Sequence, residues 1–200
     1  MPEKKTMWDE RYDTDDFVYG REPNAFLAGV SGMIPAGDVL CLAEGEGRNA
    51  VFLARQGHRV VAVDSSAVGL AKATRLAQES GVRIETVTAD LADFAIEPGR
   101  WDAIVSIFCH VPPTVRKALH WGVVQGLRAG GLFVLEGYTP AQLKLGTGGP
   151  PSAELMMTLV ELREELEGLE FLQAREMERD VVEGRLHTGR GAVVQIVARK

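Results

Sequence analysis

The chain has 200 residues, 46% hydrophobic and 25% charged, which excludes a disordered chain or a disulfide-stapled miniprotein and leaves room for one domain with a proper core. Its 28 acidic and 22 basic residues give a net charge of −6, which argues against nucleic acid or an anionic membrane as partner, since both demand a basic face. The two cysteines, Cys41 and Cys109, lie in apolar stretches, cannot form a zinc quartet or disulfide framework, and read as reduced residues of a cytoplasmic protein with no metal.

The N-terminal Met1-Pro2-Glu3-Lys4-Lys5 leads into no apolar signal core, and no apolar run reaches the ~18 residues of a membrane span. Trp8, Tyr12, Phe17 and Tyr19 then surround Asp13, Asp15 and Asp16, and read either as a lid or as packing against the sheet, with the acidic cluster favouring the exposed lid. Lid and helix together occupy residues 1–37. Asp38 to Ala43 is a continuous apolar run, the pattern of a strand covered on both faces. Arg48 to Gln56 predicts a helix stopped by Gly57, and Arg59 to Asp64 is the clearest strand. Ser65 or Ser66 caps a helix carrying Leu70, Ala73, Leu76 and Ala77, with Gly81 as its stop.

Arg83 to Ala89 alternates like a strand, and Trp101 to Phe108 is another. A helix opens at Pro112-Pro113-Thr114 and is expected to run to Gly130-Gly131, ahead of a strand at Leu132 to Leu135. Residues 138–151, rich in Gly and Pro, read as a long loop of the functional kind. Leu155, Leu159, Leu162 and Leu166 predict one more helix. Phe171 to Val182 and Ala192 to Ala198 are extended runs joined through His187 to Gly191, a hairpin signal. The whole predicts an α/β fold: a doubly wound, mostly parallel, Rossmann-like sheet of seven strands with a C-terminal antiparallel hairpin. One domain spans 1–200, with cofactor-binding βα units at 38–139 and loop, helix and hairpin at 140–200.

Ligands of such sheets bind beyond the carboxyl ends of the strands, where strand order reverses. After the first strand, Glu44-Gly45-Glu46-Gly47 has glycines that let backbone pass close to a ligand. Asp64 ends the second strand, 19 residues after Gly45, where a carboxylate can accept from both ribose hydroxyls. Asp90 and Leu91 follow the third, suited to an adenine amino group and ring face. Each alone has a structural reading as steric glycine, helix cap or solvated turn. Together they describe a nucleoside pocket. Gly45-x-Gly47-x-x-Ala50 also fits the dinucleotide fingerprint, so an NAD(P)-dependent oxidoreductase is the rival. The antiparallel sheet end and an unused Asp90 weigh against it. A third reading is a protein that binds an adenosyl ligand without turnover.

Trp8-Asp9-Glu10-Arg11-Tyr12, the run Val39 to Ala50, Val63-Asp64, Asp90-Leu91 and Gly130-Gly131 together resemble the class I S-adenosylmethionine-dependent methyltransferases. The likeness covers nearly the whole chain. It points to the branch of the tellurite-resistance methyltransferases and thiopurine methyltransferase, and to small cyanobacterial-type members in particular. The resemblance implies S-adenosyl-L-methionine as cofactor and S-adenosyl-L-homocysteine as product. It puts Gly45 and Gly47 beneath the methionine portion and ribose, Asp64 with Ser65 at the ribose, Asp90 and Leu91 at adenine, and Ile107 facing the sulfonium. Trp8 and Tyr19 belong to the implied lid, and Glu44 and Glu46 to the cofactor loop. Cys41 stands where the family has an acidic residue and Ala43 where it has glycine. Glu44 is expected to compensate by facing the cofactor's ammonium or sulfonium charge, or else to point to water.

A methyl on a sulfonium is already activated, so positioning and local charge can carry the reaction without a catalytic triad. No catalytic residue is assigned. His110 is the candidate base, set against its reading as a hydrogen-bonded loop histidine. Cys109, His110, Glu136 and Tyr138 end the fourth and fifth strands and are the candidate acceptor-binding residues. The implied acceptor is a small molecule, a thiol or chalcogen oxyanion by family likeness, and a monomer is the default assembly.

Overall fold

The computed structural model describes residues 6–200. The charged stretch Met1 to Lys5 lies outside them. Two short helices, α1 (Met7–Tyr12) and α2 (Ala25–Val30), precede strand β1 (Asp38–Leu42). Helix α3 (Arg48–Arg55), β2 (Arg59–Asp64), α4 (Ala67–Glu79), β3 (Glu85–Thr88), β4 (Trp101–Ile107), α5 (Pro113–Gly126) and β5 (Leu127–Tyr138) follow. Helix α6 (Leu159–Glu165) and strands β6 (Glu170–Glu183) and β7 (His187–Arg199) complete the chain. One seven-stranded sheet has the order β3-β2-β1-β4-β5-β7-β6, its first five strands parallel and β7 antiparallel to both neighbours. Strand order reverses between β1 and β4, which places the switch point beyond Leu42 and Ile107.

The sheet is buried on both faces because alternate residues of its central strands point to opposite layers. Leu40, Leu42, Ile104, Phe133 and Leu135 pack against Leu119 and Val123 of α5 and Leu162 of α6. Val39, Cys41, Ala62, Val105 and Val134 pack against Phe26 and Leu27 of α2, Leu53 of α3 and Leu70 of α4. Cys41 is fully buried there, so the position is core and burial holds its thiol protonated.

Three local expectations change. The helix expected from Leu155 starts at Leu159, because Thr158 caps it. The Thr158 hydroxyl accepts from the Glu161 amide at 3.3 Å and the Glu161 carboxylate accepts from the Thr158 amide at 2.9 Å. Helix α5 stops at Gly126 rather than Gly130, and β5 begins at Leu127 with a register irregularity against β4 between Trp101 and Ala103. The hairpin turn is Gly184 to Leu186, not His187 to Gly191, since pairing continues to Glu183 opposite His187. Strand β5 pairs with β7 only as far as Val193, so the last turns of the β6–β7 ribbon project past the sheet edge. Gly189 suits that ribbon for packing, because a Cβ there would lie 2.7 Å from Thr147.

Candidate active site

The loop after β1 is shaped by backbone that L side chains rarely adopt: Ala43, Gly45 and Gly47 have φ of 50°, 59° and 89°. A Cβ on Gly45 would sit 2.5 Å from the Tyr12 hydroxyl, and one on Gly47 would sit 2.4 Å from Ala73 Cβ. Helices α1 and α4 therefore close directly on the loop, which only glycine permits. Glu44 is buried, and its Oε1 accepts from the Ala50 amide at 2.7 Å in the first turn of α3. It does not point to water. Burial, with the charge of Asp64 adding, raises its carboxyl to about 7 against the opposing pull of the Ala50 amide and Arg48.

Asp64 ends β2 with only 6% of its surface exposed. Its Oδ2 accepts from the Gly45 amide and its Oδ1 from the Ser66 amide, each at 2.8 Å, and the Ser65 amide also reaches the carboxylate. Burial nonetheless raises its pKa. Ser66, not Ser65, caps α4 by accepting from Gly69 at 3.0 Å. Thr88 pairs with Asp64 across β3 and β2, and the Ala89 amide donates to the Asp64 carbonyl at 3.0 Å. Asp90 thus lies one strand over from Asp64. It is exposed, its Oδ1 accepts from Ala92 at 2.9 Å, and Leu91 beside it packs on the core.

Helix α1 lies across α4. Asp9 Oδ1 accepts from the Ser66 hydroxyl at 2.7 Å and from the Val68 amide at 3.3 Å, and the Ser66 bond leads the causes that hold Asp9 down to about 2. Lys72, buried on α4, donates to the carbonyls of Tyr12, Thr14 and Asp16 at 3.2, 3.0 and 2.6 Å and pairs with Glu46 at 2.5 Å. Glu46 in turn accepts from the Tyr19 amide at 3.3 Å. Trp8 stacks on Tyr12 at 5.8 Å, and Tyr12 meets Tyr19 edge-on at 6.2 Å. The Trp8 to Tyr19 segment is therefore bound to the glycine loop and to α4 by specific polar contacts.

Beyond β4, Ile107 is buried and Phe108 takes a positive φ of 52°. Cys109 is buried and its thiol is pushed up to about 12 by burial, which makes it an inert packing residue. His110 Nδ1 lies 2.9 Å from the Leu155 carbonyl, which fixes it as the protonated nitrogen, while Nε2 accepts from the Tyr138 amide at 3.3 Å. Both ring nitrogens are thus engaged by backbone. Burial lowers its pKa to about 4, so His110 is a neutral strut and not a free base. Tyr138 is almost wholly buried and its hydroxyl is pushed up to about 12 by burial.

Glu136 has no exposed surface. It accepts from Arg179 at 2.7 and 2.6 Å, from Gln195 at 2.6 Å and from Asn24 at 2.5 Å. Glu183 bonds Arg48, Arg179 and Asn24 in the same network. Glu136 ties β5, the ribbon and the α2 entry together instead of facing an acceptor. His187 lies in the β6–β7 ribbon, opposite Glu183, and not in the turn. Its ring lies 4.6 Å from Tyr19, 4.8 Å from Phe108 and 5.6 Å from Tyr138, and its Nδ1 is buried without a hydrogen-bond partner. Lys72 carried a sequence signal, since it sits four residues before Leu76 in an otherwise apolar stripe. Arg48, Arg179 and Glu183 carried none.

Comparison with known proteins relates the first five strands of the sheet to one family. The methyltransferase-domain model matches residues 39–131, which run from β1 through the β5 bulge. Over that stretch, just under half of its length, the chain is similar to the methyltransferase-domain family. A 2-heptyl-1-hydroxyquinolin-4(1H)-one methyltransferase of Mycobacteroides abscessus is 27% identical over 117 residues, 57% of this chain. The match spans 52%, about half, of that relative's length. TehB from Haemophilus influenzae has a TM-score of 0.73 at 19% identity, covering 96% of this chain and 65% of its own. NodS, an N-methyltransferase from Bradyrhizobium japonicum WM9 in complex with S-adenosyl-L-homocysteine, has a TM-score of 0.71 at 14% identity, covering 96% of each chain. At these identities the two structures show the shared fold.

The residues that follow β1, β2 and β3 suit S-adenosylmethionine, the cofactor used by proteins of that family. Carboxylates stand at the ends of the adjacent strands β2 and β3, and the glycine loop passes beside one of them. No helix among the described residues is long and apolar enough to cross a membrane.

Proposed function

We propose that this methyltransferase moves the methyl group of S-adenosylmethionine onto a small-molecule acceptor by direct displacement. The observation that carries the reading is the pairing of Asp64 with Thr88, which sets Asp64 and Asp90 at neighbouring strand ends beside the glycine loop. When bound, S-adenosylmethionine supplies a methyl carbon on a positively charged sulfur, whose bond breaks as the acceptor heteroatom forms its own. Asp64, with Ser65, accepts from the ribose hydroxyls, and Asp90 with the Leu91 backbone recognises adenine. Gly45, Glu46 and Gly47 form the wall along the methionine portion and ribose, and Ile107 borders the sulfonium. Glu44 acts at one remove, fixing α3 against the loop through the Ala50 amide.

Trp8 to Tyr19 serves as the lid, with Lys72 and Asp9 as its anchors. The acceptor approaches from the side of Phe108 and Tyr138, the direction that puts it behind the methyl carbon. The curated relative is named for a hydroxyquinolinone, which supports a small organic acceptor. Net charge −6 supports neither nucleic acid nor membrane as partner. Free, buried Cys41 and Cys109 suit a reducing cytoplasm.

Calorimetry against S-adenosylhomocysteine and NAD tests the reading. Micromolar binding of the first and none of the second is expected, with joint replacement of Asp64 and Asp90 by alanine weakening it at least a hundredfold. Binding of NAD alone would favour the oxidoreductase. Persistent inactivity across acceptors with cofactor bound would favour a binding protein.

A further inference from the structure

The two side chains that flank Gly47 hold two outlying pieces of the molecule. Glu46 accepts from the Tyr19 amide of the N-terminal segment at 3.3 Å, and Arg48 pairs with Glu183 at the end of β6. Those two pieces also meet each other. The Arg185 amide donates to the Val18 carbonyl at 3.0 Å, and a Cβ on Gly184 would lie 2.4 Å from the Tyr19 carbonyl carbon. Glycine loop, segment end and ribbon turn thus form a closed circuit of contacts, so a shift of the loop is felt by both pieces.

The link between Arg48 and Glu183 is a buried ionic clasp, with side chains only 9% and 4% exposed. Glu183 Oε2 takes Arg48, while Oε1 accepts from Arg179 at 2.8 Å and from Asn24 at 2.9 Å. Burial opposes ionisation of Glu183, yet the Arg48 and Arg179 charges hold its carboxyl below the ordinary glutamate value. Arg48 also donates to the Glu22 carbonyl at 3.4 Å, and the adjacent Asn49 Oδ1 accepts from the Asn24 amide at 2.9 Å. Displacing Arg48 would leave a buried carboxylate short of a cation, which a dry site disfavours. Glu183 lies opposite His187, past the point where β5 stops pairing with β7. Residues 139–147 support this free end of the ribbon on its β7 side, at Arg190 and Ala192. Glu183 ties its β6 side to the start of α3.

We infer that Arg48 and Glu183 are positioning residues that couple the glycine loop to the free end of the ribbon, so that cofactor occupying the loop and docking of residues 184–190 are one cooperative step. Because His187 of that end stands edge-on to Phe108 and Tyr138, the acceptor side is completed after the cofactor is in place. The inference rests on the proposed function and adds an order of binding to it. Coupling is reciprocal, so loosening the ribbon end must also weaken the cofactor. The test follows hydrogen exchange of residues 184–190 in the full chain, free and saturated with S-adenosylhomocysteine, with saturation set by a prior titration. In wild type, saturation should slow exchange by about fivefold or more, the low end of ordinary coupling. Glu183→Gln keeps the shape and removes the charge. It should weaken S-adenosylhomocysteine by about fivefold or more and, once saturated at higher concentration, show no ligand-dependent slowing. A purely structural contribution would lower Tm and leave that slowing in place. Arg48→Lys, which keeps the charge and loses the fork, serves if the first variant does not fold, and should lose at least half of the slowing. The inference is overturned if the wild-type ribbon end is indifferent to S-adenosylhomocysteine, or if either folded variant slows as much as wild type. Failure of S-adenosylhomocysteine to bind wild type is read in the titration and overturns the methyl-transfer reading on which the inference stands.

Discussion

Lys72 and Glu46 form a buried ion pair 2.5 Å long, and the same ammonium serves three carbonyls of the N-terminal segment. One side chain thus joins α4, the glycine loop and the N-terminal segment. Removing one partner of such a pair leaves the other buried and uncompensated, typically at a cost of about 3–5 kcal/mol. Lys72→Met should lower the urea midpoint, open residues 12–19 to protease, and weaken S-adenosylhomocysteine binding at least tenfold. Unchanged cleavage there would show that Lys72 does not hold the N-terminal segment.

Glu44 carries a pH signature. Its carboxyl is raised to about 7 in the fold by burial, from an ordinary value near 4.5, so the folded state keeps a proton that the unfolded chain has lost between those limits. Stability from this group is full below about 4.5 and is lost as pH rises towards 7, by roughly 3 kcal/mol in all. Glu44→Gln should remove that slope and make the protein relatively more stable at pH 8 than at pH 5. Parallel pH–stability curves for variant and wild type would count against a buried, protonated Glu44.

His110 should leave no mark on the activity profile. With its pKa lowered to about 4 by burial, it is neutral throughout the range where a catalytic imidazole would titrate. The sign for stability is that its contribution is present above about 6.5 and falls as pH drops towards 4, because the unfolded chain protonates first. His110→Ala should cost about 2 kcal/mol by stranding the Leu155 carbonyl and Tyr138 amide, while kcat falls less than tenfold. A hundredfold or greater loss of kcat in a folded variant would restore it as a base.

Ala43 holds a φ of 50°, where an L residue carries roughly 1–2 kcal/mol of strain that glycine escapes. Glycine's greater unfolded freedom offsets about 0.5–1 kcal/mol of that. Ala43→Gly should therefore be neutral to about 1 kcal/mol stabilising, unlike most substitutions beside a buried strand. A Tm lowered by several degrees would mean the methyl group packs usefully.

The strands of the sheet and its two terminal carboxylates were legible because apolar runs and their end residues are local patterns. Asp64 and Asp90 could be set side by side from strand order alone. The start of α6 was misread because Leu155 continues the leucine spacing, while Thr158 and Glu161 reset the helix by a cap. Gly189 and Gly191 mimicked a turn within the ribbon. Glu136 read as an acceptor residue because its partners Arg179, Gln195 and Asn24 lie 43, 59 and 112 residues away, distances over which no spacing rule operates. The two histidines exchanged prominence for the same reason: strand-end position pointed to His110, while the ribbon's projection brought His187 to the rings.

Because β7 lies between β5 and β6, the later strand of the ribbon must slot between two made earlier. A nascent chain could form β1 to β5 and even α6 while tethered, yet would lack His187, the Arg179–Glu136 clasp in its final register, and the Val18–Arg185 bridge. Long-range pairing of this sort is slow relative to local structure. Competence for the reaction should arrive abruptly once β7 is complete, and a translation-arrested product ending before residue 187 should be sheet-like but silent.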